Sequence, residues 1–563
     1  MFRPKSKQKT IFDHDVYLPA ERVQALEKTW AGPFRSKVMP LIEEEPFRPF
    51  YHPETGRPNV PVATLISLCM LKELHNLTDR ELLGSLEFDL RWQYALDITV
   101  FDAHLCQKTL HTFRTLVSSN GKAREIFSGM TDRIIEVAGL STERQRLDST
   151  QITSNMAHLS RLGLFVRTIE GFLRQLERTH PRLYEKLPRF YGKLYQERSG
   201  YFADVKSSQA KRRLATSARH LFDLVDRFRG HKEISRMKSY RLMVRLLAEQ
   251  CHVERGDPEA TVALKTSEEI AADSLQNPSD PDATYGRKGK GYKGSLTETC
   301  AKENSFQVIT DVAVDSAHAS DQKDVVPVIE RLEERGQKPG ELVADAGYGS
   351  GENILAAQEH EVALSAPITC GRAPDLTKKV QLSDFEVSAD CRQVRSCIKG
   401  HAPLECRSRG DSESVEAIFP ASACSTCEFL AICPVTRQRA GTYRLRYLRK
   451  DMATSKRRQE QETPVFKERY KIRSGIEATI SEADRLTGFK RIWTRGKERV
   501  TTVVFMKALA INIKRFIRHE LEKAKEALGS LDPEALRDRI ALFLTRIIRL
   551  TRILDAVEAR MVA

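Results

Sequence analysis

Three stretches of the sequence place acidic residues where they can do chemistry. In "LVADAGYGS" (342–350), an apolar run ends in a carboxylate, Asp345, and the chain then turns on Gly347 and Gly349. Such a strand end can present an acid to a metal or a substrate, and it is also how many ordinary strands end. "ERQRLDSTQITSN" (143–155) is rich in Thr, Ile and Gln and lacks helical periodicity, so a strand is expected over Arg146–Ile152. Asp148 lies inside it, and a charge within a core strand needs a reason, because an unpaired buried carboxylate is costly. In "ERYKIRSGIEATISEADRLTG" (468–488) a helix is expected. Tyr470, Arg473 and Glu477, at i, i+3 and i+7, would share one of its faces. Arg473 can steady Glu477 or reach a phosphate. On spacing alone, a surface ion pair of little energetic weight is the simpler account.

A second chemistry sits in the cysteines. Of eleven, seven fall between Cys370 and Cys433. "CSTCEFLAIC" supplies Cys424, Cys427 and Cys433, and its Cys-x2-Cys pair is a knuckle that can hold one tetrahedral ion through two thiolates. Cys397, in "CIKGHAP", is the preferred fourth ligand because Gly400 allows a tight turn after it; Cys391, Cys406 and His401 compete. Thiolates favour zinc, and the site would be structural, since a short segment with few large apolar residues makes no core otherwise. Free thiols in a loop are the alternative. Cys69, Cys106, Cys251 and Cys300 are scattered and read as buried thiols.

The elements that must position these groups follow from composition and pattern. The chain has 563 residues, enough for several domains, with 40% hydrophobic and 30% charged residues, as in a soluble globular protein. No apolar run of membrane-spanning length occurs. "MFRPKSKQKTIFDHD" lacks an apolar core for a signal peptide, so a cytoplasmic protein without a membrane partner is expected. A net charge of +15 favours a polyanion as partner, because each cation docked on a phosphate releases counterions.

Residues 1–140 read as helical. "PVATLISLCMLKEL" (61–74) has apolar residues at helical spacing, and "NLTDRELLGSLEF" offers a capping box from Thr78 to Glu81. With a third helix over 108–119, this pattern suggests a helix-turn-helix. Residues 156 to about 275 are helical again and strongly basic. "QNPSDPDATYGRKGKGYKG" (276–294) reads as a loop or linker. "SLTETCAKENSFQVITDVAVDSA" follows as a hairpin with Phe306–Val314 as its second strand. A helix over 324–336, a strand in "ELVADAGYGS" and a short strand in 361–367 complete the order. Without the helical stretch, this is the mixed-sheet order of an RNase H-like core. It would bring the strands of Asp148 and Asp345 together at the sheet centre.

"DST" (148–150), "VADAGYGS" (343–350) and "YKIRSGIEATISEADR" (470–485) together resemble the DDE transposases of bacterial insertion sequences. Within them the likeness is to the group whose third acid lies in a Tyr-x2-Arg-x3-Glu-x6-Lys/Arg signature. The likeness extends from the N-terminal helical region to about residue 520. It implies Asp148, Asp345 and Glu477 as catalytic acids, also holding two Mg²⁺ or Mn²⁺ ions, with Tyr470 and Arg473 from the signature beside them. One position departs: the final basic residue falls on Asp484, and Arg485, Lys490 or Arg491 could replace it.

The resemblance implies cleavage of phosphodiesters at transposon inverted-repeat ends, then strand transfer of the 3′-OH into target DNA. A catalytically inactive DNA-binding descendant and a metal-dependent nuclease are the alternatives. Double-stranded DNA would be the partner in a bacterial, nucleoid-associated setting, and synapsis of two ends would need at least a homodimer. Arg491, Trp493 and Arg495, with Lys497, suit DNA near the cleaved end; Lys288, Lys290 and Lys293 suit backbone phosphates. The implied fold is α/β, and its parts are an N-terminal all-α DNA-binding domain (1–140), an RNase H-like core (141–155, 284–370 and 441–520), a basic helical insert with linker (156–283), a Cys-rich zinc insert (371–440) and C-terminal helices (521–563).

Overall fold

The structure is a computed structural model that describes residues 1–6, 13–196, 207–254, 261–369, 375–408 and 413–529. Among these residues no helix is long and apolar enough to cross a membrane. The chain groups into two units: one is Met1–Thr64 with Leu83–Leu105 and the chain from Ile513, the other Leu65–Leu82 with Cys106–Asn512. Helices Gln107–Ser119 and Lys122–Ala138 therefore belong to the second unit, and residue 140 is not a unit boundary.

The first unit is helical around buried Phe34, Val38 and Leu96, with Trp30 edge-on to Trp92 at 5.9 Å. Helices Val62–Leu74 and Asp79–Phe88 form as the sequence predicts. The expected capping box is present: Thr78 N–H donates to Glu81 Oε2 at 2.8 Å, and Glu81 N–H donates to Thr78 Oγ1 at 3.3 Å. Each bond satisfies an amide that the first helical turn leaves unpaired.

The second unit is built on a six-stranded mixed sheet. Its strands are β1 (Arg144–Ile152), β2 (Thr284–Gly286), β3 (Gly289–Thr299), β4 (Ile309–Ser316), β5 (Glu341–Ala344) and β6 (Ala363–Ser365). β1 runs antiparallel to β3 and parallel to β5, and β5 runs parallel to β6. β3 also pairs antiparallel with β2 near its start and with β4 from Tyr292 onward. The strands of the two aspartates are neighbours, as expected.

One face of the sheet packs Leu147, Leu342, Ala344 and Leu364 against Val325, Val328, Ile329 and Leu332 of helix Val325–Glu334. Those four helix positions are spaced as one stripe. Each such burial contributes about 1.5–3 kcal/mol. The other face carries polar pairs: Glu298, fully buried, accepts from Arg146 and from Thr479. The Asn512 side chain bonds both the N–H and the carbonyl of Ile309.

The stretch 276–294 is not simply a loop. It enters the sheet at Thr284, and β3 begins at Gly289. Gly291 and Gly294 serve close strand approach rather than turning. A Cβ on Gly291 would lie 2.2 Å from the Ile152 carbonyl, and one on Gly294 would lie 2.4 Å from Ile152 Cδ1. The second hairpin strand starts at Ile309, later than the expected Phe306.

The stretch after β1 is largely helical. Arg161–Thr179, Ser207–Phe228 and Lys238–Gln250 enclose a separate core that includes Phe165, Ile169, Phe172, Leu221, Tyr240 and Met243.

The Cys-rich region was expected to be irregular and coreless, and it is neither. Glu405–Ser408, Ser414–Phe419, Tyr443–Leu448 and Thr436–Arg437 form an antiparallel sheet. Phe385, Val415, Phe419, Leu445, Tyr447 and Met452 pack as its core. The expected boundary at residue 440 falls inside this sheet. Cys69, Cys251 and Cys300 are buried as predicted, but Cys106 is exposed, just ahead of helix Gln107–Ser119.

The third-acid helix is interrupted. Pro464–Tyr470 is α-helical, Lys471–Ser474 is a tighter 3-10 turn, and Gly475–Thr487 resumes the α-helix. Tyr470, Arg473 and Glu477 thus sit on three successive pieces rather than on one helical face. The expected core-packing helix over 501–519 lies within Lys497–Gly529, where Val504, Phe505, Ala508, Leu509 and Ile511 are buried. Most of the stretch expected to form C-terminal helices, from 530 onward, lies outside the described residues.

Candidate active site

The register of two strands places the first two acids. Leu147 on β1 pairs with Ala344 on β5, so the following residues, Asp148 and Asp345, come level at the end of the parallel pair. Asp148 is 7% exposed and accepts the Ser149 N–H at 2.7 Å. Asp345 stands just past β5, half-buried, and accepts the Gly347 N–H at 2.8 Å. Glu477 is exposed in the first turn of Gly475–Thr487.

One guanidinium gathers all three. Arg473 Nη2 lies 2.9 Å from Asp148 Oδ2 and 3.9 Å from Asp345 Oδ2, while Nη1 lies 2.6 Å from Glu477 Oε1. Three carboxylates far apart in sequence thus converge on one cation. Burial pushes the Asp148 carboxyl above its ordinary range and the charge of Asp345 adds to the rise, while the Ser149 N–H and Arg473 oppose it. Burial also works against the charge on Arg473, but Asp148, Tyr470, Glu477 and Asp345 outweigh it and hold the guanidinium protonated. Tyr470 stacks on Phe466 at 5.7 Å, and burial raises its phenol pKa.

The two glycines after Asp345 stand close against neighbouring atoms. A Cβ on Gly349 would lie 2.0 Å from the Pro367 carbonyl, and one on Gly347 would lie 2.9 Å from Asp345 Oδ1. Glycine at these two positions lets the backbone and the carboxylates close up.

Lys288 is exposed, donates to the Ser149 carbonyl at 3.4 Å and acts electrostatically on Asp148. Lys290 is half-buried and donates to the Leu159 carbonyl at 2.7 Å. Lys293 does not serve as a phosphate contact. It is buried on β3, 2.9 Å from Asp324 and 3.4 Å from Asp321. Its place in a strand, with alternate residues facing inward, is what the loop reading hid.

Asp321 and Asp324 are the residues near the site that sequence reasoning missed. Asp324 also accepts Ser295 Oγ at 2.6 Å, and a Cβ on Gly347 would lie 3.5 Å from Asp321. The available signal was two acids three residues apart ahead of a helix, opposite a lysine.

After the third acid, the backbone of 490–494 runs beside the end of β1. Thr153 N–H donates to the Lys490 carbonyl and Ile492 N–H to the Thr153 carbonyl, each at 2.8 Å. Asn155 N–H donates to the Thr494 carbonyl at 3.2 Å. This pairing leaves Arg485, Arg491, Trp493 and Arg495 exposed and Lys490 half-buried. Trp493 is 78% exposed, so its ring is not part of the core. Arg495 Nε donates to the Asn155 carbonyl.

Two family models match the chain. One, described as Transposase domain (DUF772), covers residues 24–116, and the other, described as Transposase DDE domain, covers residues 396–517. Both matches are to transposase domains, and they support the resemblance to the DDE transposases of insertion sequences. The two matches cover less than half of the chain. The DDE match contains Tyr470, Arg473 and Glu477, whereas Asp148 and Asp345 lie outside it and meet Glu477 only through the fold, around Arg473. No curated protein and no solved structure matches the chain significantly. The family implies DNA as substrate and a general use of divalent metals. Among the described residues no three His, Cys, Asp or Glu side chains stand ready-made as a metal site. The donor set nonetheless fits a hard divalent cation: three carboxylates already gathered around a positive charge.

Proposed function

We propose that the protein is a transposase that cleaves phosphodiesters at the inverted-repeat ends of a mobile element and joins the freed 3′-OH to target DNA. The observation that carries the reading is the convergence of Asp148, Asp345 and Glu477 on Arg473. The order of the central sheet, with the acid strands adjacent and parallel, is the arrangement an RNase H-like core would have.

Asp148 and Asp345 would hold two Mg²⁺ or Mn²⁺ ions, and Glu477, exposed at a helix start, would complete one shell. When bound, these ions supply activation of the attacking oxygen and stabilisation of the leaving one. The chain's own groups bind and orient. Asp148, held by the Ser149 N–H, keeps one fixed direction. Arg473, released from the carboxylates, is placed to bind the phosphate undergoing transfer. Lys288, Arg485, Arg491 and Arg495 would bind backbone phosphates, and Trp493 would stack on a base.

The basic insert adds a second run of phosphate contacts. A cleft of about 1290 Å³ is lined by Lys238 and Arg241 of helix Lys238–Gln250 and by Arg495, Lys497 and Arg499. Both insert cations are exposed. Arg245, in the same cleft, is engaged by Glu249 and by the Pro281 and Asp273 carbonyls.

The experiment is incubation of the full chain with a labelled inverted-repeat end, a target plasmid and Mg²⁺ or Mn²⁺. Joined product that disappears with Asp148→Ala, Asp345→Ala or Glu477→Ala is the expected result. Binding without cleavage marks a DNA-binding descendant, and cleavage without joining marks a nuclease; either outcome overturns the proposal.

A further inference from the structure

The Cys-rich region divides its thiols into two sets. Cys391 and Cys406 have backbone partners of their own: Cys391 Sγ faces the Ala389 carbonyl at 3.8 Å, and Val394 N–H donates to Cys406 Sγ at 3.4 Å. The other set lies on three turns. In the first, Gly400 N–H donates to the Cys397 carbonyl at 2.8 Å, with Gly400 at φ 79°, and Cys397 N–H donates to the His401 carbonyl at 2.9 Å. In the second, Cys427 N–H donates to the Cys424 carbonyl at 3.1 Å, and in the third Cys433 N–H donates to the Leu430 carbonyl at 3.4 Å.

The turns are brought together by groups other than the thiols. Lys399, inside the first turn, is ion-paired with Glu428 and stands 5.0 Å over the Phe429 ring. Cys424 lies close enough to Cys433, Cys397 and Cys427 to feel the charge of each, and Val435 N–H donates to the Cys433 sulfur. All four are free thiols. The lobe they occupy packs only partly buried residues, Phe429, Leu430, Ile432 and Val435 among them, against the region's core, and neither Ala421–Cys424 nor Leu430–Ile432 buries a side chain fully.

We propose that Cys397, Cys424, Cys427 and Cys433 form a four-thiolate zinc site that ties the 397–400 turn to the 424–433 lobe. No three of these sulfurs stand at metal-binding geometry as placed, so closure requires rotation of the thiols to about 2.3 Å from the ion. Thiolates select a soft or borderline cation, and Lys399 offsets part of the negative charge of the closed site. The region has its own core of Phe385, Val415 and Leu445, against which the lobe packs, so the ion would fasten a lobe rather than fold the domain. The inference is independent of the DNA chemistry and survives if the chain proves inactive.

The test is metal analysis of the full chain purified under reducing conditions. One zinc per chain is expected, released when a mercurial blocks the thiols and recorded with a chromogenic chelator. Cobalt exchange should give thiolate-to-metal charge transfer and tetrahedral ligand-field bands, a readout on the unaltered chain that does not depend on any variant folding. Cys427→Ser should lose the metal and Cys406→Ser should keep it. A folded chain without zinc overturns the proposal. So does zinc retained in both Cys397→Ser and Cys427→Ser, or zinc lost with Asp148→Asn but not with Cys427→Ser.

Discussion

Replacing Arg473 by Gln removes the one cation that three carboxylates share, and the largest effect should arrive through Asp148. That pair is 2.9 Å apart, with side chains 20% and 10% exposed. At an effective dielectric of about 20, the Coulomb attraction is about 6 kcal/mol before desolvation. Breaking such a pair costs roughly 3–5 kcal/mol while the partner stays charged. Asp148 has an escape, which is to take a proton. From an ordinary Asp value this costs about 4 kcal/mol at pH 7, and less from the raised position that burial already gives this carboxyl. The expected loss is therefore about 3–4 kcal/mol at pH 7. Glu477, 61% exposed, adds little because solvent screens it. The pH dependence has a definite sign. Asp148 in the folded variant has a pKa above that of the unfolded chain. The folded state then binds the extra proton, and stability falls as pH rises through the raised pKa. Acidification from pH 7 towards 5 should shrink the penalty by about 1.4 kcal/mol per unit, relative to the unsubstituted chain. Denaturant unfolding at the two pH values measures this, and an Asp148→Asn background should reduce the Arg473→Gln cost to under about 1 kcal/mol. A penalty equal at both pH values, or one undiminished in the Asp148→Asn background, refutes the reasoning.

Trp493→Ala should weaken binding of a labelled DNA end by about 1–3 kcal/mol in a mobility-shift titration, with the unfolding midpoint unmoved, because the ring is 78% exposed. Lys238→Ala with Arg241→Ala should make the slope of log affinity against log salt shallower by about 1.8, one phosphate contact for each cation. Lys293→Met should destabilise the chain by roughly 3–5 kcal/mol, leaving Asp324 buried and unpaired. Lys288→Met, at an exposed position, should change stability by no more than about 0.5 kcal/mol. Equal effects of the two lysine substitutions in thermal unfolding would contradict the burial assignment.

The sequence made the acids legible because their local settings are short and rule-bound. Asp148 is a carboxylate inside a Thr- and Gln-rich stretch that lacks helical periodicity, and Asp345 ends a strand that runs parallel to β1. The capping box at Thr78 was readable because it depends only on residues three apart. What could not be read depends on contacts made across the chain. Gly291 and Gly294 look like part of a loop until Ile152 is known to lie against them. Lys293 looks like a phosphate contact until Asp324 is placed opposite. The Cys-rich region looked coreless because its apolar residues, such as Phe385, Phe419 and Tyr447, are widely spaced and meet only once the sheet forms. The break at Lys471–Ser474 had no local warning, since no Pro or Gly lies within that stretch.

Asp484, the acid at the signature's basic position, need not mark a decayed site, because the structure gives it work of its own. Its carboxylate accepts the Lys490 N–H at 2.9 Å, and its carbonyl accepts the Gly488 N–H at 2.8 Å, closing the turn after helix Gly475–Thr487. That turn uses Gly488 at φ 64°, a conformation that favours glycine. It delivers residues 490–494 against Thr153 and Asn155, a few residues beyond Asp148 on the same stretch of chain. A lysine at 484 would offer a cation from the helix but lose the acceptor that sets the turn. With aspartate there, positive charge moves to the segment the turn positions, where Arg491 and Arg495 are exposed. The departure from the family pattern is then an exchange of one cation for the placement of others. It weighs less against activity than the spacing alone implied.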